Sequence, residues 1–329
     1  MTSTLGTRQE PAPVHRLPRP RSARTQAETR PETLPLPGEA DRIRTGTRVL
    51  LTVFAVFTLL AANQLLVLGG HTERFWAWPM PFRPSSAFLG AAYAAGAVLS
   101  VLALRQTRWS HVRVPVLTVT IFTVLTLIPT VLHRHRMNLM EHGFARVAAM
   151  VWIMVYIAVP VAGSLVAVRQ WLATRRHPQP VLRPIPRPLV AVLLAQGTAL
   201  AAAGAVLYLG GMRNHMSVPV VWPGWPWPVT PLTGMAIGAW LLSFGIAIAL
   251  AIRERDLSRM FVSAVAYAVF GAVEVAVLLC HRGAVGTNPL WLSIDVALFA
   301  TLVPVGVYGA WAAVHGRSRF PAEERLLVS

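Results

Sequence analysis

The sequence predicts an all-α polytopic membrane protein whose eight transmembrane helices form two parallel four-helix repeats. Three observations carry that prediction. Of the 329 residues, 54% are hydrophobic and only 13% charged, against about 25% charged in a soluble domain. The apolar residues are gathered into eight long runs. One pattern also occurs twice: Trp76-Ala-Trp-Pro79 and Trp225-Pro-Trp-Pro228 each follow a Gly-Gly pair and lead into a helix at Gly90-Ala91 or Gly238-Ala239.

Residues 1–46 hold eight arginines among many prolines and show no apolar periodicity. Such a composition buries too little surface to offset ordering, so the segment reads as a disordered tail. It lacks the layout of a cleavable signal peptide. The apolar runs lie near 48–68, 87–104, 114–132, 147–168, 189–209, 232–252, 260–280 and 291–314. Each is close to the ~17–25 residues a helix needs to cross a bilayer, and only helices or closed barrels satisfy the backbone in lipid.

All thirty basic residues are arginines, and the net charge is +17. The tail to Arg48, the segments 105–113, 169–188 and 253–259, and the C-terminal tail hold 23 of them. The alternate segments 69–86, 133–146, 210–231 and 281–290 hold 7. The positive-inside rule places the richer side in the cytoplasm with both termini, in a cell membrane. The charge is read as topology and as contact with anionic lipid headgroups, not as a nucleic-acid surface. A single cysteine, Cys280, excludes an intrachain disulfide.

The duplication persists at an offset of 148, which places Gly90 on Gly238, Arg105 on Arg253, and His133-Arg134 on His281-Arg282. At 144, Pro160-Val161 falls on Pro304-Val305. Four helices per unit is an even number, so both copies insert the same way up, related by an axis along the membrane normal. The units read as 47–168 and 189–315, joined by a cytoplasmic Arg/Pro-rich linker at 169–188 and followed by a C-terminal tail at 316–329. The Trp-x-Trp pattern with its Gly-Ala helix start, the run Leu132-His-Arg-His-Arg136 and the segment 230–240 (TPLTGMAIGAW) resemble a group of uncharacterised multi-pass membrane proteins of high-GC Gram-positive bacteria. The resemblance covers most of 48–315. It implies a polytopic bacterial membrane protein and brings no activity with it.

Two acids fall inside apolar runs, Glu274 in the seventh and Asp295 in the eighth. A charge at such depth costs ~2.5–3.5 kcal/mol on insertion scales and usually faces protein or water. His281 shares a helical face with Glu274, Arg282 follows it, and a short connection brings Asp295 alongside. These four form a candidate polar pocket opening outward. The bland reading is a packing acid at Glu274 and a dipole-complementing acid at Asp295. Thr126 stands at the position of Glu274 in the first unit, so the acid belongs to one copy.

His133, Arg134 and His135 are secondary candidates. His133 and His281 would suit bis-histidine ligation if the repeat axis brought them together, but no compact metal-binding spacing is present. Trp76, Trp78, Trp225 and Trp227 read as anchors at the membrane interface. Nucleophile motifs, phosphate loops and dinucleotide fingerprints are absent. Three function classes follow: a transporter or permease-like protein with its polar site in the outer half of the second repeat, which is preferred; a non-transporting scaffold; or a haem- or metal-dependent membrane enzyme. Cofactor and substrate are unspecified.

Overall fold

The computed structural model describes residues 41–176, 179–214, 219–220, 222, 224–285 and 289–316. The tail readings for 1–40 and for 317–329 lie outside these. Eight helices are long and apolar enough to cross a membrane: α1 Thr45–Val67, α2 Arg83–Leu104, α3 Trp109–Leu132, α4 Phe144–Thr174, α5 Arg187–Arg213, α6 Pro231–Glu254, α7 Phe261–Cys280 and α8 Pro289–His315. The protein is an all-α integral membrane protein. Among the described residues the only β pairing is three isolated bridges.

Helix starts follow local chemistry. Proline in the first turn of α2, α5 and α6 supplies a preset φ where no amide hydrogen is needed. Thr230 caps α6, its hydroxyl accepting from the Thr233 amide at 3.3 Å. Arg255, in the left-handed region at φ 56°, ends α6. Then Asp256 accepts from the Ser258 amide at 2.9 Å and starts a single 3-10 turn. Pro160 and Pro304 both lie inside their helices, α4 and α8.

Consecutive helices pair as α1–α2, α3–α4, α5–α6 and α7–α8, and the two most extensive contacts between the halves are α2–α7 and α3–α6. Exchanging α1–α4 with α5–α8 maps this set of contacts onto itself. α2, α3, α6 and α7 form the centre; 72% of the apolar window of α2 is buried against 22% in α8. Peripheral helices leave Leu59, Val147, Leu194 and Val307 exposed. That is the arrangement expected when lipid, not water, is the solvent around a polytopic bundle. At the α5–α6 crossing a Cβ on Gly238 would sit 2.7 Å from the Gly204 carbonyl, and one on Gly204 would sit 2.9 Å from the Gly238 carbonyl. Only glycine permits so close an approach.

Loops alternate between two ends. At the arginine-rich end Arg42 bridges to Arg108, and Pro184 bridges to Asp256. The Asp41 carboxylate accepts from the Ser110 amide at 3.0 Å and hydroxyl at 2.7 Å. The Asp256 carboxylate accepts from the Leu182 and Arg183 amides at 2.8 and 3.0 Å. Residues 41–46, assigned by composition to the tail, are therefore held against the α2–α3 connection, because one carboxylate finds two donors there. The helical part of the 169–188 segment runs to Thr174, and 182–184 is fixed to the α6–α7 connection in the same way.

Candidate functional site

At the tryptophan-bearing end, the four indoles meant as interfacial anchors turn inward. Trp76, Trp78, Trp225 and Trp227 are 4%, 1%, 2% and 0% exposed. The Trp76 and Trp78 rings pack edge-on against Trp152 at 5.4 and 4.8 Å, and Trp225 against Trp227 at 4.6 Å. The large apolar rings gain more from protein contacts here than from the headgroup layer, since the proline-rich segments fold back over the central helices. Trp78 donates to the Thr233 hydroxyl at 3.0 Å, and Trp227 donates to the Ser85 hydroxyl at 2.8 Å. Ser85 and Thr233 are 148 residues apart in the sequence, the repeat offset itself. Each half thus inserts an indole N–H into the first turn of the other half's second helix.

Glu274, on α7, is fully buried, and neither carboxylate oxygen has a hydrogen-bond partner. Asp295, in the second turn of α8, is 8% exposed, and its Oδ2 also lacks a partner. The helices hold the two acids together by their register. Gly271 backs onto the Phe299 carbonyl and Leu302, and Gly306 onto the Ala264 carbonyl and Ala268. Carried one turn further, that antiparallel register leaves Glu274 and Asp295 about one turn apart, above the edge-on Phe270–Phe299 pair at 5.5 Å.

His281 and Arg282 do not complete a salt bridge with Glu274. The His281 Nδ1 lies 2.9 Å from the carbonyl of Val277 on its own helix, and Arg282 is exposed. The open pocket envisaged from the sequence is closed in this structure at Glu274. On the side of the first half Ala87 and Ala91 of α2 meet Val277, with Val273 alongside, and one turn along α7 Phe88 packs edge-on against Phe270 at 6.2 Å. In the other half Thr126, the counterpart of Glu274, is buried and self-contained, its hydroxyl bonding the Phe122 carbonyl at 2.8 Å.

His133 is buried and lines a cavity of about 350 Å³ with Glu73, Trp78, Arg136 and Thr230, drawn from both halves. Arg134 and His135 are exposed, the His135 ring 6.2 Å from that of His133. Among the described residues no three His, Cys, Asp or Glu side chains are gathered to hold a metal ion.

Two polar groupings escape sequence reasoning. At the arginine-rich end Glu254 of α6 meets both Arg113 of α3 and Arg259, the latter at 3.0 Å. Arg259 also reaches Asp256 at 3.5 Å and the carbonyls of Gln179 and Pro180 at 3.1 and 2.8 Å. Within the second half Gln196 donates to Thr301 at 2.9 Å and accepts from Tyr267 at 3.2 Å. The charges of the first grouping were visible as a loop cluster; their partners, on elements distant in sequence, were not. No family model matches the chain, and no curated protein or solved structure is detectably similar to it.

Proposed function

We propose that the protein is a proton-linked membrane carrier in which Glu274 takes up and releases the proton. The observation behind this is the bare Glu274 carboxyl: fully buried, inside a membrane-spanning helix, with no donor on either oxygen. A packing acid offsets its desolvation with an arginine or a set of hydrogen bonds, as Glu254 and Asp256 do at the end of the bundle. Glu274 has neither, and an ionisable group kept at such cost is a functional candidate by default.

Its position suits alternating exposure. Halves of 47–168 and 189–315, joined through 169–188 and related by an axis along the membrane normal, would rock against each other about an axis lying in the membrane plane. Beside Glu274, α2 and α7 meet through Ala87, Ala91, Val273 and Val277, small surfaces with little packing to lose on separation. Asp295 then serves as the neighbouring proton acceptor, and His281 and Arg282 stand at the mouth. By the arginine distribution the tryptophan-bearing end faces outward across a bacterial plasma membrane, with both termini and the anionic-lipid contacts inside.

The test uses the full chain in proteoliposomes carrying a pH-sensitive dye, with a panel of small solutes and an imposed pH gradient. Solute-dependent proton movement is expected from the wild type, and its loss, with folded protein retained, from Glu274→Gln. A thiol at 277, buried one turn from the acid and leaving it in place, in the Cys280→Ser background, should react with a membrane-impermeant reagent during turnover. Unaltered proton movement in Glu274→Gln, or a thiol at 277 that never reacts, would overturn the reading.

A further inference from the structure

The first half carries a second cavity unrelated to the acid pair. It has a volume of about 220 Å³ and lies between α1 and α4, with Tyr93 of α2 and Trp76 in its wall. Its rim includes Leu60, Phe144 and Val147, all exposed. Because these belong to peripheral membrane helices, the cavity opens sideways into the hydrocarbon and not toward either aqueous face. Along α1 it runs from Gln64 down to Phe54, ten residues or ~15 Å at 1.5 Å per residue. That is about half of a ~30 Å hydrocarbon core. Gln64 sits one turn from the end of α1, and Phe144 is the first residue of α4. The mouth therefore lies where hydrocarbon gives way to headgroups, and the cleft descends to mid-membrane.

Its polar groups are few and are chiefly donors. Tyr93 and Tyr156 share one hydrogen bond, hydroxyl to hydroxyl at 2.7 Å. Two hydroxyls bring two protons to that single bond, so one proton is left over. The Gln64 side-chain amide lines the mouth, and the indole N–H of Trp76 has no acceptor. No charged side chain lines the cavity. An occupant must be apolar over ~15 Å, uncharged within the cleft, and able to offer an acceptor near the helix ends.

We propose that this cleft holds one acyl chain of a diacyl membrane lipid, with the ester carbonyl received by the Gln64 amide at the mouth. The ester group of such a lipid lies at the boundary between hydrocarbon and headgroup, the depth at which Gln64 stands, and the chain below it matches the aromatic trough of Phe54, Tyr93, Trp152 and Tyr156. At that boundary water competes for the Gln64 amide, so the bond to an ester carbonyl carries the modest net worth of an exchanged hydrogen bond, while the chain below it fills a dry trough.

The experiment titrates the delipidated, detergent-purified full chain with a diacyl ester lipid and with its ether-linked analogue of equal chain length, read by native mass spectrometry. The ester lipid should bind up to about tenfold more tightly than the ether, the net worth of one exchanged hydrogen bond. Gln64→Leu should bring the two lipids to equal affinity, and Ala148→Trp, which fills the trough from its α4 side, should abolish the tight site for both. Equal affinity of ester and ether in the wild type, undiminished binding in Ala148→Trp, or a prenylquinone displacing the ester lipid at equal concentration would overturn the assignment. The comparison of the two lipids on the wild type needs no variant to fold.

Discussion

If the exchanged indole bonds clamp the two halves, removing one hydroxyl must be felt as a coupled loss and not as a general loosening. Ser85→Ala is the cleanest perturbation. Ser85 is 2% exposed, its hydroxyl accepts from Trp227 Nε1 at 2.8 Å, and Trp227 is wholly buried. Deleting the hydroxyl leaves a buried indole N–H without a partner, which costs about 1–3 kcal/mol. Trp227→Phe removes the donor but also indole packing against Phe88 and Trp225, so its own loss is larger and less specific. The double variant isolates the bond: in membrane proteins such couplings average about 0.6 kcal/mol and reach about 1.7 kcal/mol. Thr233→Val with Trp78→Phe forms the matching cycle, with an extra loss in Thr233→Val because Thr230 donates to the Thr233 hydroxyl at 2.8 Å. The assay is reversible unfolding of the purified chain in mixed detergent micelles, followed by circular dichroism and tryptophan emission. Coupling energies of zero in both cycles would refute the clamp, and coupling in one cycle alone would refute its exchange between halves.

Arg259→Met should cost about 3–5 kcal/mol in the same unfolding assay, since it strips Glu254 and Asp256 of a buried partner. Arg113→Met should cost ~1 kcal/mol or less, because Arg113 is a third exposed and Arg259 still holds Glu254. Gly238→Leu should lose about 1–3 kcal/mol through its clash with the Gly204 carbonyl, and a wild-type midpoint would show that α5 and α6 cross less closely. Glu274→Gln should leave the unfolding midpoint unchanged or raised, because an amide is cheaper to bury than an unpartnered carboxyl; a fall above 1 kcal/mol would argue for a packing role. A reporter joined after Arg319 should be active only in the cytoplasm and one inserted near Gly286 only outside, and the reverse at either place would sink the orientation.

What the sequence by itself determined is what local physics controls. Eight apolar runs of membrane length become eight helices because nothing else satisfies a backbone in lipid. Proline in the first turn marks where α2, α5 and α6 begin, and Thr230 caps the last of these, since helix starts are a matter of adjacent residues. Glu274 and Asp295 were legible as neighbours because a short connection forces α7 and α8 side by side. Ser85 and Thr233 stood in the sequence at the repeat offset, yet nothing local showed which indole each would receive. Only the tertiary structure decided that Trp76, Trp78, Trp225 and Trp227 face inward, for an amphipathic ring suits both the headgroup layer and a packed core, and the choice depends on how the loops fold back. It also decided that His281 turns to its own helix, leaving Glu274 bare, and that Arg113, Glu254 and Arg259 meet. Those outcomes depend on side-chain partners far apart in the chain, and a periodicity carries no information about them.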